Sequence, residues 1–422
     1  MNHRGHRTIT TAAAALLGAM CACIAGANDD APVTAYRVAK VVTMDADDRV
    51  INNATVLVRG ERIEAVGRSR EIEIPEGASV VDMPRAWLVP GLVELHNHTA
   101  GSLSDLNDMV YLTNPGLRTL ETVVPGTFEW HRAQAGGITT ALLIPGSGTN
   151  ISGLGTVVKF TGGNTQAEAV ARSPGSLKVA QAGNPERYWW RVDRMLMNYN
   201  TRRTLREAQA YHEAWTAWEN GELDEQPEFN LLYDEYRGMF AREYPASVHT
   251  QIYQVILTTV EMLGREFGLR VVLDHSTFDS WKVAPLVLEV GEENIITIVG
   301  PRSHFFDLTQ RKMMGIVQRW HQAGITKLGI NTDSPVIPQE ELTNQAAIAC
   351  WLGFDPYLAL AGLTRVGAEA VMMEDQIGSI EPGKDADFVL WTGDPIDPRH
   401  RVLINVVNGR VVYDSERDGI RH

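Results

Sequence analysis

VPGLVELHNH, residues 89 to 98, opens on a Pro-Gly turn, runs through the apolar stretch Leu92 to Leu95, and ends in two histidines one residue apart. Side chains on a strand alternate with a period of two, so His96 and His98 point the same way. Seven more short apolar runs follow: ITTALLIP (138–145), GTVVKF (155–160), SLKVA (176–180), ASVH (246–249), RVVLDH (270–275), IITIVG (295–300) and TKLGINTD (326–333). Helical patterns lie between most of them, among them QIYQVILTTVEMLGREFG and DLTQRKMMGIVQRWHQAG, both ending in a C-cap glycine. Eight such units read as an α/β chain, a (β/α)8 TIM-like barrel over 89–379.

Active sites of parallel barrels lie at the C-terminal ends of the strands. The first run ends in His96 and His98, the fifth in His249, the sixth in His275 and the eighth in Asp333. Only twelve histidines are present in the chain, and four of them fall at these ends. Two co-directed imidazoles at a barrel mouth can share one divalent metal; imidazole suits zinc, iron, nickel and manganese. A lone His-x-His is a weak signal, and it is the further histidines and Asp333 that outweigh reading each as a satisfied core residue.

The flanks differ from the barrel. Residues 34–88 carry short strand patterns (YRVAKVVTM, ATVLVRG, ERIEAVG, ASVVDM) that read as antiparallel β. Residues 380–416 repeat the style, with Asn408-Gly409 as a hairpin signal. The two segments bracket the barrel and are expected to pair into one small β-sandwich domain. Asn198 to Tyr244 is rich in Glu, Arg, Trp and Tyr and reads as a helical insertion after the fourth strand, either shaping the pocket or decorating the surface.

The chain has 422 residues and a formal net charge of −14. No Lys/Arg run accompanies it, which argues against a nucleic-acid partner. Arg4 and Arg7, the apolar stretch Ile9 to Ile24 and the small-residue site Ala25-Gly26-Ala27 form the pattern of a secretory signal peptide over 1–27. Its loss would remove two arginines and no acid, taking the charge from −14 to −16. The expected location is therefore periplasmic or secreted. Lipid anchoring at Cys21 is the weaker reading, because Met20 stands where a small residue is expected. Cys350 is the one cysteine beyond that segment and reads as a buried structural thiol. No other run is long enough to span a bilayer.

PGLVELHNH, AGGITT (135–140), VH (248–249), DHST (274–277), NTDSP (331–335) and IGSIEPGKDADFVLW (377–391) together resemble the amidohydrolase superfamily of metal-dependent hydrolases. The likeness extends from about residue 36 to the C-terminus and is nearest the branch of imidazolonepropionases and metal-dependent dipeptidases or prolidases. It implies that His96, His98, His249 and His275 are metal ligands or near-ligands, and that Asp333 is the catalytic acid/base and a further ligand. It also implies a carboxylated lysine on the fourth strand bridging two metals; Lys178 fits that position best and Lys159 second. Zinc is the first choice of ion, one or two per chain, with iron, manganese or nickel as alternatives. Two departures stand out: Glu94 occupies a position where relatives usually carry Asp, and Gln251 stands where close relatives often have a second histidine.

The implied reaction is hydrolysis of a C–N bond, in a cyclic amide or related amide. Metal-activated water is the nucleophile, Asp333 moves the proton, and His275 stabilises the oxyanion if it is not a ligand. Gln251, His304 and Arg187, the last in the aromatic stretch NPERYWWR with Arg191, are the candidate contacts to a small-molecule substrate. The Gly/Ser-rich GSGTNISGLG (146–155) lacks the lysine and spacing of a phosphate loop and is expected to wrap the substrate backbone. A periplasmic metallo-dipeptidase or prolidase-like peptidase, a deaminase, and a barrel that binds without catalysis remain as alternatives. Homo-oligomerisation is left open.

Overall fold

A computed structural model describes residues 31–99, 106–189 and 192–419. The expected leader over 1–27, with Cys21, lies outside the described residues, and so does Arg191. Four strands lead the described chain: β1 (Val33–Val42), β2 (Val50–Arg59), β3 (Arg62–Arg68) and β4 (Ser79–Pro90). Next come β5 (Leu92–Asn97), β6 (Ile138–Leu143), β7 (Ile151–Lys159), β8 (Val170–Ala180), β9 (Ala246–Thr250), β10 (Val271–His275) and β11 (Ile295–Val299). A short hairpin, β12 (His304–Asp307) and β13 (Lys312–Gly315), precedes β14 (Leu328–Ile330). The chain finishes with β15 (Phe388–Trp391), β16 (Val402–Val407) and β17 (Arg410–Asp414).

Eight strands, β5 to β11 and β14, form the barrel sheet in chain order. A parallel bridge between Asn97 and Ser334 closes it: the His98 amide donates to the Ser334 carbonyl at 2.9 Å, and the Ser334 amide to the His96 carbonyl at 3.2 Å. All eight apolar runs of the sequence are strands of this barrel. The third runs backwards, however: β7 is antiparallel to both neighbours. The cause is chain length. Only residues 144–150 separate β6 from β7, too few for the crossover of a dozen or more residues that a parallel pair needs. The reversal puts the start of β7, with the Gly/Ser-rich loop, at the mouth, and its last residue, Lys159, at the opposite end.

Both terminal segments join in one seven-stranded sheet, ordered β17-β16-β15-β4-β1-β2-β3. The joint is β4 with β15, paired antiparallel from Trp87–Trp391 to Pro90–Phe388. Its buried side holds Tyr36, Val38, Val56, Leu88, Phe388, Leu390 and Val406, with the Tyr36 and Phe388 rings edge to face at 4.9 Å. One pair departs from the expected antiparallel pattern: β1 and β4 are parallel, because the β2–β3 hairpin intervenes and carries the chain across the sheet. Asn408 and Gly409 both have positive φ, 49° and 70°, the requirement of a type I′ turn between β16 and β17.

The stretch 307–324 is only half helical. Its first half makes the β12–β13 hairpin, because the Asp307 carboxylate accepts from the amides of Thr309 and Gln310 and Arg311 takes φ 52°, which together turn the chain back. The helix is Ile316–Gln322. The insertion begins earlier than expected, with a 26-residue helix, Arg194–Glu219, and continues in two single-turn helices. Its buried residues Met197, Thr201, Thr204, Leu205, Ala208 and Trp215 recur at helical spacing. Thr201 and Asn200 bond the side chain of Asn150, so the helix is fastened to the β6–β7 loop at the barrel mouth. Cys350 is half-buried, and burial pushes its thiol up to about 12. Among the described residues no helix is long and apolar enough to cross a membrane.

Lys159 lies between barrel and sheet. Its ammonium contacts the carboxylates of Asp385 and Asp387, the latter at 2.8 Å, and the Asn408 side chain at 2.8 Å. Removing one partner of a buried ion pair leaves the other charge uncompensated, at about 3–5 kcal/mol. Lys159→Met should therefore lower the unfolding free energy by about that amount, read as a fall in urea midpoint. Its metal content should stay that of the wild type; a loss of metal would contradict the purely structural placement.

Candidate metal centre

Glu94, His96 and His98 share the inward face of β5, as the period-two rule requires. His96 Nε2 and His98 Nε2 each lie 3.2 Å from the same oxygen, Asp333 Oδ1. The ligand atoms of the three residues all lie within 4.8 Å of one another. The far nitrogen of His98, Nδ1, is 2.9 Å from the Ile144 carbonyl. A carbonyl can only accept, so Nδ1 carries a proton and Nε2 is the nitrogen turned toward Asp333. A cation placed between them would be met by that nitrogen and the carboxylate oxygen.

A second pair of imidazoles repeats the logic. His275 Nδ1 is 3.0 Å from the Gly300 carbonyl, which leaves its Nε2 directed at His249 Nδ1, 2.9 Å away. His249 Nδ1 also lies 3.0 Å from the Ser147 hydroxyl. Burial pushes His249 well down and His275 down to about 4, so both rings are neutral at pH 7 and keep lone pairs to offer. His249 Nε2 is buried with no hydrogen-bond partner among the described residues. His96 behaves differently. Burial and the Lys178 charge oppose its protonation, but Asp274 and Asp333 outweigh them and hold it up at about 9. The carboxyl of Asp333 is held well below the usual range: burial opposes this, and His96 and His275 prevail. Positive charge is thus favoured on the Asp333 side of the cluster, and the donor set of imidazoles and carboxylate fits a divalent metal.

Lys178, on β8, is fully buried, with Nζ 3.2 Å from His96 Nε2 and 3.7 Å from Asp274 Oδ2. Lys159 is excluded from the site by the reversed strand that carries it. His96, His98, Lys178, His249, His275 and Asp333 are therefore brought together. Gln251 and His304 line a cavity of about 480 Å³ beside the cluster, along with Phe278, Arg302, Phe305 and Phe306. A smaller cavity, about 180 Å³, is lined by Glu186, Arg194, His249, Gln251 and Val255. Arg187 is exposed and lines neither.

Sequence reasoning missed Asp274, Ser147 and the use of Glu94. Asp274 is buried, its Oδ2 3.2 Å from His96 Nδ1 and bonded by the Ser247 hydroxyl. On a regular strand, neighbours Asp274 and His275 face opposite ways; here His275 takes φ 71° and Ser276 φ 43°, and both side chains serve the cluster. Asp333 also has positive φ, 53°. Such left-handed conformations are uncommon for residues other than glycine, with aspartate and histidine adopting them more readily than most. Glu94 accepts from the His96 amide at 3.0 Å with one oxygen, and from the Thr332 amide (3.0 Å) and hydroxyl (2.7 Å) with the other. It clamps the His-x-His strand to the segment that carries Asp333. Glutamate departs here from the aspartate usual in relatives, and its longer side chain spans this gap.

A model of the amidohydrolase family matches residues 309–418. The crystal structure of an amidohydrolase from Thermotoga maritima MSB8 superposes with a TM-score of 0.79 at 30% identity, covering 90% of this chain and 100% of that one. Amidohydrolase tasK of Hapsidospora irregularis is 22% identical over 382 residues; the match takes 81% of this chain but only 38% of that protein's length. A 5-methylthioadenosine/S-adenosylhomocysteine deaminase of Bacillus cereus (strain 03BB102) is 25% identical over 90% of this chain and 89% of its own. With the whole barrel and its flanking sheet matched at that identity to a solved member, the chain belongs to the amidohydrolase family.

Proposed function

We propose that the chain is a metal-dependent hydrolase of C–N bonds in cyclic or related amides. The observation that carries this is the convergence of four imidazoles, Asp333 and Lys178 from five barrel strands or strand ends. His96, His98 and Asp333 would hold one divalent ion, zinc by first choice; His249 and His275 would hold a second. A bound divalent ion lowers the pKa of a water from ~16 to about 7. Asp333, ionised at neutral pH, accepts the proton of the attacking water and returns it to the departing nitrogen. Asp274 orients His96 through Nδ1, and Gly300 and Ile144 fix the tautomers of His275 and His98.

A buried ammonium on Lys178 would work against a cation beside His96. Addition of CO2 to the neutral amine, with loss of a proton, would replace that positive charge with a negative one and add oxygen ligands. This supports a carboxylated Lys178 bridging two ions. The likeness to a deaminase keeps deamination as the second reading, since it too breaks a C–N bond with water. The leader pattern in residues 1–27 supports a periplasmic or secreted enzyme.

Three outcomes test the reading. Asp333→Asn with full metal content should lose activity by about 10²–10⁴-fold, the usual worth of a positioned acid/base; substantial activity in that variant would remove Asp333 from proton transfer. Metal analysis should give two ions per wild-type chain and one or none in Lys178→Ala, while one ion in both would make the site mononuclear. Asp274→Asn should fold normally and weaken metal binding by about 10–100-fold, measured by competition with a chelator; unchanged affinity would reduce Asp274 to a packing role.

A further inference from the structure

The larger cavity has a composition that the hydrolytic cluster does not need. Its walls are aromatic and apolar, with Phe278, Phe305, Phe306 and Met313 among them, and Arg302 lines it as well. Two other arginines near the barrel mouth are engaged: Arg118 pairs with Glu235 and Arg194 with Glu186. Arg302 is exposed and, among the described residues, has no ion pair or hydrogen bond. His304, also on the wall, has a buried Nδ1 without a hydrogen-bond partner among the described residues. An unpaired guanidinium on an apolar cavity is a recognition element for an anion attached to an apolar body.

The cavity is continuous with the frame of the candidate metal centre. Gly300 lines it, and the same residue's carbonyl holds His275 Nδ1 at 3.0 Å. Gln251 lines it two residues beyond His249. Phe278, three residues beyond His275, is held there with φ 55°, its ring 6.1 Å from that of Phe305. A substrate with its C–N bond at the cluster can therefore extend into this space. At about 480 Å³, it lies within the ~300–1,000 Å³ of small-molecule sites.

We propose that this cavity is the specificity subsite for an apolar or aromatic residue bearing a free carboxylate, with Arg302 reading the carboxylate. The substrate class is then an acyclic amide of an apolar amino acid, such as an N-acyl amino acid or a small peptide. Arg302, on the loop after the seventh barrel strand, takes the role that the sequence suggested for Arg187. The inference rests on the C–N hydrolase reading for its substrate, but its binding half stands by itself.

The test uses metal-loaded full-length protein and calorimetric titration with 3-phenylpropionate and with neutral 3-phenylpropan-1-ol. Wild type should prefer the carboxylate. Arg302→Gln should bind 3-phenylpropionate roughly 10–100-fold more weakly, the worth of a charge-assisted pair, with the alcohol unchanged, which also shows the cavity intact; Arg302→Lys should restore part of the difference. Carboxylate binding that ignores the Arg302→Gln change, as direct binding to metal would, overturns the proposal, and so does equal binding of acid and alcohol in wild type. Hydrolysis of N-acetyl-L-phenylalanine against N-acetylphenethylamine is measured in parallel, with the Arg302→Gln defect expected in KM. If neither is hydrolysed while Arg302-dependent binding holds, the hydrolase reading fails and the anion subsite stands.

Discussion

Asp333 Oδ1 faces two buried imidazoles, with their nitrogens 3.2 Å away. Burying charged and electron-rich groups together costs several kcal/mol per ion unless opposite charge compensates them. Much of the molecule can be understood as meeting that condition. Backbone carbonyls fix the outer nitrogens of His98 and His275, Asp274 faces the outer nitrogen of His96, and Glu94 spans from β5 to Thr332. Glu94, on one side of the seam where the barrel closes, is tied to Thr332 on the other, so closure of the barrel brings His96 and His98 to Asp333.

Left-handed backbone recurs around the cluster, as it does at turns elsewhere in the chain. His275, Ser276, Phe278 and Asp333 all have positive φ, which few residues other than glycine adopt. Surrounding contacts hold them there. The hydrogen bond of His275 to Gly300, the pairing of Ser334 with His96 and His98 across the seam, and the burial of the neighbouring strands provide that constraint. The positive φ of His275 lets adjacent Asp274 and His275 act on one cluster, which a regular strand forbids.

The far end of the barrel solves a different problem. A seven-residue connection after β6 reverses β7 and delivers Lys159 to the seven-stranded sheet. There it meets Asp385 and Asp387; burial holds the carboxyl of Asp387 above the usual carboxylate range, and the Lys159 charge opposes this. One reversed strand thus presents the Gly/Ser-rich loop to the site, where Ser147 reaches His249, and a cation to the interface below.

The sequence by itself determined the barrel and the direction of its chemistry. Apolar runs with helical spacing between them, and histidines and an aspartate at their ends, follow from local periodicity, which a single chain displays. His96, His98, His249, His275 and Asp333 were legible for that reason, and Lys178 through a family likeness. Pairing between distant segments was decided only in the tertiary structure. The reversal of β7 took Lys159 away from the site, and the positive φ of His275 added Asp274 to it. The hairpin over 304–315 set His304, Phe305 and Phe306 around a cavity shared with Arg302, while Arg187 was left in solvent. Periodicity reports which face a residue takes on its own element; which elements meet, and what charge lies unpaired between them, depends on contacts hundreds of residues apart.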